Sequence, residues 1–237
     1  MTRGTSPNAG RADVGRGELA ALVGLALLAF AVRAWPLWSG GALAYPVDYD
    51  EGVYYSAAGL LWRGVLPYRD FVFVHPPGLL WVLGTTAAWP ADPALLFAAS
   101  RWVAALLGAC SVVFVGRLAA RAGGTVAGGV AALLYALYPE AVSAERGPFL
   151  EPALNLLCLA FAWAWLEGGG ERRAARRGFW AGVLGGAALS MKVWAGAWGV
   201  AALLSLPRAE RGRALGGLVV GAAVALGVLV VPLVLLS

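Results

Sequence analysis

Residues 178–206 read GFWAGVLGGAALSMKVWAGAWGVAALLSL, an apolar stretch whose one charged side chain is Lys192. As a single helix at about 1.5 Å per residue, it would be about 43 Å long, well over the roughly 30 Å hydrocarbon core of a bilayer. It would also hold the Lys192 ammonium near mid-membrane, which is costly. We therefore predict a break near Lys192 that makes two short helices and brings the ammonium to a membrane surface.

Comparable apolar runs recur along the chain, of which 60% is apolar and only 13% charged, with a mean hydropathy of +0.74. A soluble chain of 237 residues needs far more polar surface to cover one core. The sequence thus predicts an all-α, polytopic transmembrane protein with about seven spans. The predicted spans are 19–35, 94–116, 123–138, 150–166, 178–191, 193–206 and 214–236.

The net charge of +5 does not indicate a nucleic-acid partner, because the arginines lie between apolar runs and not along one basic face. Cys110 and Cys158 lie inside apolar runs and offer neither metal-ligand spacing nor a disulfide framework. Residues 1–17 are polar, glycine-rich and basic, which predicts a disordered cytoplasmic tail. The apolar run that follows lacks a small-residue cleavage pattern, so we expect an uncleaved anchor.

The segment 75–90 (HPPGLLWVLGTTAAWP) has an apolar core of only about eleven residues, a length more typical of an interfacial helix than of a span. With that segment on the membrane surface and the chain broken near Lys192, every basic cluster falls on the cytoplasmic side. We expect a multi-pass protein of the cell membrane, with a cytoplasmic N-terminus. Residues 18–237 form one transmembrane module, in which the outer loop 36–93 carries interfacial helices. The basic clusters are Arg3/Arg11/Arg16, Arg117/Arg121, Arg172/Arg173/Arg176/Arg177 and Arg208/Arg211/Arg213.

Most of the acidic residues then collect on the opposite, extracytoplasmic face, a grouping that the positive-inside rule did not impose. The polar chemistry is therefore expected to converge on one face of the membrane. The acidic residues on it are Asp48, Asp50, Glu51, Asp70, Asp92, Glu140, Glu145 and Glu151, and they are joined by Arg63, Arg69, His75, Arg101, Arg146 and Lys192.

The sequence Asp48-Tyr-Asp-Glu51 opens a helical pattern in the first outer loop. Asp48 fits a helix N-cap with Glu51 three residues later, which is an ordinary capping pair. Asp50 and Glu51 also fit a second interpretation, because a carboxylate beside a membrane surface can act as a general base. From the residues alone the two interpretations are about equally favoured.

Further candidates follow in later segments. His75 is the only histidine and precedes two prolines; it fits either a phosphate or proton carrier or a solvated turn residue. Arg146 fits a phosphate clamp or a structural pair with Glu145 or Glu151. Lys192 fits an anion-binding group or a snorkelling anchor.

The motifs Asp50-Glu51-x-x-Tyr54, Gly64-x-x-Pro67-Tyr68-x-Asp70 and His75-Pro-Pro-Gly78, followed by Arg101 at the start of a span, resemble the GT-C glycosyltransferases. The most similar branch contains the protein O-mannosyltransferases, the lipid A aminoarabinose transferase and the bacterial dolichyl-phosphate-mannose-protein mannosyltransferase-like proteins. The later motifs Arg146-x-x-x-x-Glu151 and Ser190-Met191-Lys192 are similar to a following loop and turn in that family. The resemblance covers residues 19–206.

The resemblance implies transfer of a sugar from a polyprenyl-phosphate carrier to an unknown acceptor on the extracytoplasmic face. Asp50 is then the catalytic base with Glu51 in support, and substrate-binding positions are Tyr54, His75, Arg146, Glu151 and Lys192. No cofactor is implied, and a divalent metal at Asp50 and Glu51 stays open. Family members usually have further spans that shape the acceptor and lipid-tail pockets, so we expect this chain to be the N-terminal module.

Two other classes of function stay open beside the transferase. One is a non-catalytic subunit that binds the lipid carrier or assists assembly, or an inactive fragment of a longer transferase. The other is a small transporter, which is disfavoured because the spans hold almost no ionisable residues at mid-depth.

Overall fold

The computed structural model describes residues 9–166, 170–205 and 208–237, and this part of the chain is helical without any β-strand. Residues 9–17, which we predicted as part of a disordered tail, belong to the first helix, and residues 1–8 of that tail lie outside the described residues. The helices are α1 (Ala9–Ser39), α2 (Tyr49–Leu61), α3 (Gly78–Ala87), α4 (Pro93–Leu137), α5 (Pro139–Ala144), α6 (Glu151–Leu166), α7 (Gly170–Leu189), α8 (Gly196–Ser205), α9 (Arg208–Leu229) and α10 (Val231–Leu236), with a 3₁₀ turn at Val193–Ala195 before α8.

Three stretches of helix within the described residues are long and apolar enough to cross a membrane: Gly17–Ser39, Pro93–Leu137 and Arg211–Leu229. Shorter apolar helices accompany them, at Gly78–Ala87, Glu151–Leu166 and Val193–Ser205. The prediction of an all-helical protein with apolar helices suited to a bilayer is therefore confirmed. The number of seven spans stays a prediction.

The 45 residues of α4 form a helical hairpin, not a single rod. Gly124 has φ 83° and ψ 176°, a conformation outside the helical region that glycine adopts readily. A methyl group on Gly116 would lie 3.2 Å from the Cβ of Ala132, although sixteen residues of straight helix span about 24 Å. The chain thus reverses between the predicted spans 94–116 and 123–138.

Helices α7 and α9 pack closely along a stripe of glycines. Gly178, Gly182 and Gly186 recur every four residues on α7, and each meets the α9 backbone. Their contacts advance from Ala214 to Leu218 to Ala222, so the two helices run parallel. Small residues at this spacing let two helix backbones approach one another.

Because α7 and α9 are parallel, the chain must return between them, and α8 makes that return. After α7 ends, Lys192 takes an extended conformation with φ −151° and ψ 124°. At the far end of α8, Ser205 accepts a hydrogen bond from Nε1 of Trp165 at 2.9 Å. The break predicted near Lys192 is therefore confirmed, with a helix on either side.

The first connection carries α2 and α3, as expected for residues 36–93. Helix α3 has ten residues, about 15 Å, which is too short to cross a bilayer. The two helices pack through an apolar cluster that includes Tyr54, Ala58, Leu79 and Leu83. This cluster holds both helices against one end of the bundle.

One end of the bundle collects the ends of six elements. Arg33 near the end of α1 pairs with Glu145 after α5, and Arg101 near the start of α4 pairs with Glu51 on α2. Lys192 after α7 pairs with Glu151, the first residue of α6. We call this the polar end; Glu51, Arg101, Glu145, Glu151 and Lys192, which were expected on one face of the membrane, lie there.

Candidate functional site

Helix α2 begins with the predicted capping box. The carboxylate of Asp48 accepts a hydrogen bond from the backbone N–H of Asp50 at 2.9 Å. Oε2 of Glu51 accepts from the backbone N–H groups of Asp48 at 3.2 Å and Val47 at 2.8 Å. The capping interpretation of Asp48 and Glu51 is thus confirmed, and it fixes the direction in which α2 leaves the loop.

Glu51 has a second contact, which the sequence did not reveal. Its Oε2 lies 2.7 Å from Nη2 of Arg101, and both side chains are excluded from solvent. A Cβ on Gly147 would collide with the other carboxylate oxygen, so a residue without a side chain is needed there. Glu51 therefore supports the start of α2 from inside the protein, and its carboxylate is enclosed.

Arg101 joins three segments at the polar end. Besides Glu51, its guanidinium donates to the backbone carbonyls of Tyr45 at 3.1 Å and Arg146 at 3.4 Å. It also lies over the ring of Phe97, 5.1 Å from the centroid. One buried cation thus fixes the start of α2 relative to the loop that carries Arg146.

Asp50, next in the chain to Glu51, is exposed and belongs to a chain of three polar groups. The phenolic O–H of Tyr54 donates to Oδ2 of Asp50 at 3.4 Å, and the Tyr54 hydroxyl oxygen lies 3.1 Å from Nε2 of His75. Burial, followed by the charge of Asp50, raises the pKa of Tyr54 to about 12. Tyr54 therefore keeps its proton at neutral pH and connects the carboxylate to the imidazole.

Lys192 and Glu151 complete the exposed part of the polar end. Nζ of Lys192 lies 3.7 Å from Oε1 of Glu151, and about a third of each side chain is exposed. The negative charge of Glu151 also contributes to the raised pKa of Tyr54, as expected if the carboxylate faces that side chain. The backbone hydrogen bond from Gly78 to Ser190 brings the His75 segment beside the turn that carries Lys192, so the pair and the Asp50–Tyr54–His75 group belong to one cluster.

Arg146 occupies the loop between α5 and α6 with a half-buried side chain. The structural partners that we considered for it are engaged elsewhere, since Glu145 pairs with Arg33 and Glu151 with Lys192. Its backbone carbonyl binds Arg101. The loop conformation is therefore set by neighbouring residues, and the Arg146 guanidinium is not needed for those two pairs.

A second buried network lies beneath this cluster. Nη2 of Arg33 lies 2.7 Å from Oε2 of Glu145, and both side chains are fully enclosed. The other oxygen of Glu145 accepts from the hydroxyl of Tyr135 at 2.6 Å and from the amide of Asn155 at 2.9 Å. Arg33 also donates to two backbone carbonyls. The network ties α1, α4 and α6 together just before Arg146.

The sequence contained one signal for these two networks. Arg33, Arg101 and Asn155 each interrupt an apolar run, and a charge or amide inside such a run needs a partner. The partner itself was not predictable, since Arg33 and Glu145 are 112 residues apart in the chain.

Gly78 joins the His75 segment to the turn that carries Lys192. Its N–H donates to the carbonyl of Ser190 at 2.6 Å, and a Cβ at this position would collide with Ser190. The close approach explains why the motif that contains His75 ends in glycine. It places the two segments that carry His75 and Lys192 side by side.

Taken together, the exposed side of the polar end presents two carboxylates, one half-buried imidazole and one ammonium, with the buried phenol of Tyr54 between Asp50 and His75. Among the described residues, no three His, Cys, Asp or Glu side chains lie close enough to hold a metal ion. The arrangement can take a proton at Asp50 and offer positive charge at Lys192 on the same surface. That combination suits transfer of a group away from an anionic leaving group.

Comparison of the chain with protein-family models, with curated proteins and with solved structures finds no match.

Proposed function

We propose that this chain is a membrane glycosyltransferase module that moves a sugar from a polyprenyl-phosphate donor to a hydroxyl acceptor on the extracytoplasmic face. One observation carries the proposal: the exposed Asp50 carboxylate contacts Tyr54, which contacts His75, on the surface that also presents Lys192. A base and a cation on one surface are the two groups that this transfer needs most.

In the proposed reaction the acceptor oxygen attacks the anomeric carbon while the bond from that carbon to the phosphate oxygen breaks. Asp50 takes the acceptor proton, and the bonding electrons leave with the lipid phosphate. Lys192 and Arg146 balance the phosphate's charge. Tyr54 and His75 orient Asp50, and Glu51 holds the start of α2 through Arg101. General-base catalysis of this kind contributes typically about 10²–10⁴-fold to the rate.

The proposed orientation, with the polar end outside the cytoplasm of a cell membrane, draws support from the opposite end of the bundle. There Arg117 lies over the ring of Trp163 at 4.8 Å, and Arg177 over Trp165 at 5.7 Å. Both tryptophans are near the end of α6 away from Glu151. Basic residues next to spans favour the cytoplasmic side.

The test is turnover by the full chain in nanodiscs. A panel of polyprenyl-phosphate hexoses is supplied with hydroxyl acceptors, and release of polyprenyl phosphate is measured for wild type, Asp50→Asn and Asp92→Asn. Asp92 is the matched control, because it is an exposed helix cap whose role asparagine also fills. We expect turnover that Asp50→Asn removes and Asp92→Asn keeps.

Two other outcomes of this experiment would argue against a transferase. Saturable binding of polyprenyl phosphate without turnover by wild type would favour a carrier-binding subunit. Neither binding nor turnover with any member of the panel would overturn the proposal.

A further inference from the structure

A groove opens beside the polar end, between α6 and the segment that leads from Lys192 into α8. Its volume is about 320 Å³. Leu154, Cys158 and Leu159 line it from α6, and Trp194 and Trp198 line it from the facing segment. Asn155 lines it as well, and the spacings of three and four positions among Leu154, Asn155, Cys158 and Leu159 place these residues on one face of α6.

A second hollow of about 150 Å³ continues the groove along the same two helices. Trp198 lines both, and below it the walls are Phe161 and Trp165 on α6 and Ala201 on α8. From Leu154 to Leu166 the α6 face measures about 18 Å. The two hollows thus form an apolar trough that runs along most of α6.

The upper end of the trough meets the Lys192–Glu151 pair. Glu151 is one helical turn before Leu154, and Lys192 is two residues before Trp194. A cation therefore stands at the mouth of a single apolar trough. That pattern of charge matches a molecule with one anionic head and one long apolar tail.

The polar groups in the groove do not oppose an apolar occupant. Tyr135 and Asn155 both line the groove, and the Tyr135 hydroxyl and the Asn155 amide both donate to Glu145. Covering these groups with a hydrocarbon chain breaks neither hydrogen bond. The exposed rings of Trp194 and Trp198 offer apolar surface to the planar double bonds of isoprene units.

We propose that the trough between α6 and α8 binds the isoprenoid tail of the polyprenyl phosphate, with the phosphate at Lys192. This inference rests on the proposed function and adds to it the location of the lipid tail within this module. The resemblance to GT-C enzymes led us to expect that additional spans shape the tail pocket. The trough instead lies entirely between elements of the described chain.

The proposal is tested by a substitution that fills the lower hollow and leaves the polar end unchanged. Ala201 is exposed at the wall of the trough, and Ala201→Trp adds an indole there. Val200→Trp is the matched control, because Val200 is its exposed neighbour on α8 and lines neither hollow. Binding of radiolabelled undecaprenyl phosphate to the full chain in nanodiscs is measured, with geranyl phosphate and dioleoyl phosphatidic acid as competitors.

We expect Ala201→Trp to weaken undecaprenyl phosphate binding about tenfold, because the longer tail loses apolar contact area. Geranyl phosphate has too short a tail to reach the lower hollow, so its binding should not change. Val200→Trp should bind both as wild type does. Equal behaviour of the two tryptophan variants would overturn the proposal, as would phosphatidic acid competing as well as undecaprenyl phosphate.

Crosslinking of the wild-type chain covers the case in which a variant fails to fold. A polyprenyl phosphate with a diazirine in its tail should label peptides that contain Cys158, Trp194 or Trp198, and labelling confined to other helices would overturn the trough. Turnover by wild type and Asp50→Asn is measured in parallel, so that the test of the trough and the test of the transferase can fail independently. Turnover with labelling outside the trough would support the transferase and overturn the trough. Labelling in the trough without turnover would support a lipid-binding site and overturn the transferase.

Discussion

Nη2 of Arg101 lies 2.7 Å from Oε2 of Glu51, with both side chains enclosed by protein. The pair fixes α2 where it meets α4, and it leaves the adjacent Asp50 facing solvent. Two neighbouring carboxylates thus have different environments, one structural and one accessible. The sequence alone did not distinguish these two environments.

Removing the cation of this pair should destabilise the fold. Arg101→Ala leaves the Glu51 carboxylate buried without its partner, and breaking a buried pair in this way costs about 3–5 kcal/mol. We expect a clearly lower melting temperature in detergent micelles. Arg69→Ala is the control, because the Arg69–Asp70 pair is exposed and should contribute little. A melting temperature for Arg101→Ala equal to that of the control would contradict the structural role of Arg101.

The Arg33–Glu145 pair should show strong coupling. Glu145→Met alone leaves the Arg33 guanidinium buried without its carboxylate partner. The double variant Arg33→Met/Glu145→Met replaces the pair by apolar side chains. We expect the double variant to be more stable than Glu145→Met, with a coupling energy of about 0.5–3 kcal/mol in a thermal-unfolding cycle. Additive effects of the two single changes would show that the residues do not interact in the membrane.

Gly78→Ala should separate the His75 segment from the Lys192 turn, since the added methyl group would collide with Ser190. We expect a lower melting temperature together with weaker binding of polyprenyl phosphate. Gly59→Ala provides the comparison, because nothing lies within 4 Å of its Cβ position on α2. There, alanine should be neutral or stabilise the helix by about 0.5–1 kcal/mol. Unchanged lipid binding in Gly78→Ala would argue against close placement of the two segments.

Tyr54 should make stability depend on pH at the alkaline end. Its pKa is raised from 10.0 to about 12 in the folded chain, so the folded state holds this proton where the unfolded state loses it. The stabilisation is complete below pH 10 and is lost as the pH rises toward 12. Melting temperatures of Tyr54→Phe should therefore fall less between pH 9 and 11.5 than those of wild type. Parallel curves for the two proteins would contradict the burial and charge described around Tyr54.

Sequence patterns predicted those parts of the fold that depend on local chemistry. The cost of burying Lys192 predicted the break between α7 and α8, and the spacing of Asp48 and Glu51 predicted the capping box. The proline-bounded segment 75–90 contains the short helix α3. Each of these features follows from a few adjacent residues.

The partners of buried polar residues were not predictable in the same way. Glu51 has two functions at once, as a cap for α2 and as the counter-charge of Arg101, and only the packing of α2 on α4 reveals the second. The parallel packing of α7 and α9 likewise depends on the return of the chain through α8. Contacts between distant segments require the register of whole helices, which composition and periodicity do not supply.

In the proposed reaction Asp50 acts as the base that deprotonates the acceptor, while other residues hold the polyprenyl-phosphate donor. The most direct measurement compares turnover and lipid binding in the same nanodisc preparation of Asp50→Asn and wild type. We predict a loss of about 10²–10⁴-fold in the rate of polyprenyl phosphate release, with affinity for undecaprenyl phosphate unchanged. An Asp50→Asn variant that releases polyprenyl phosphate as fast as wild type would contradict the claim.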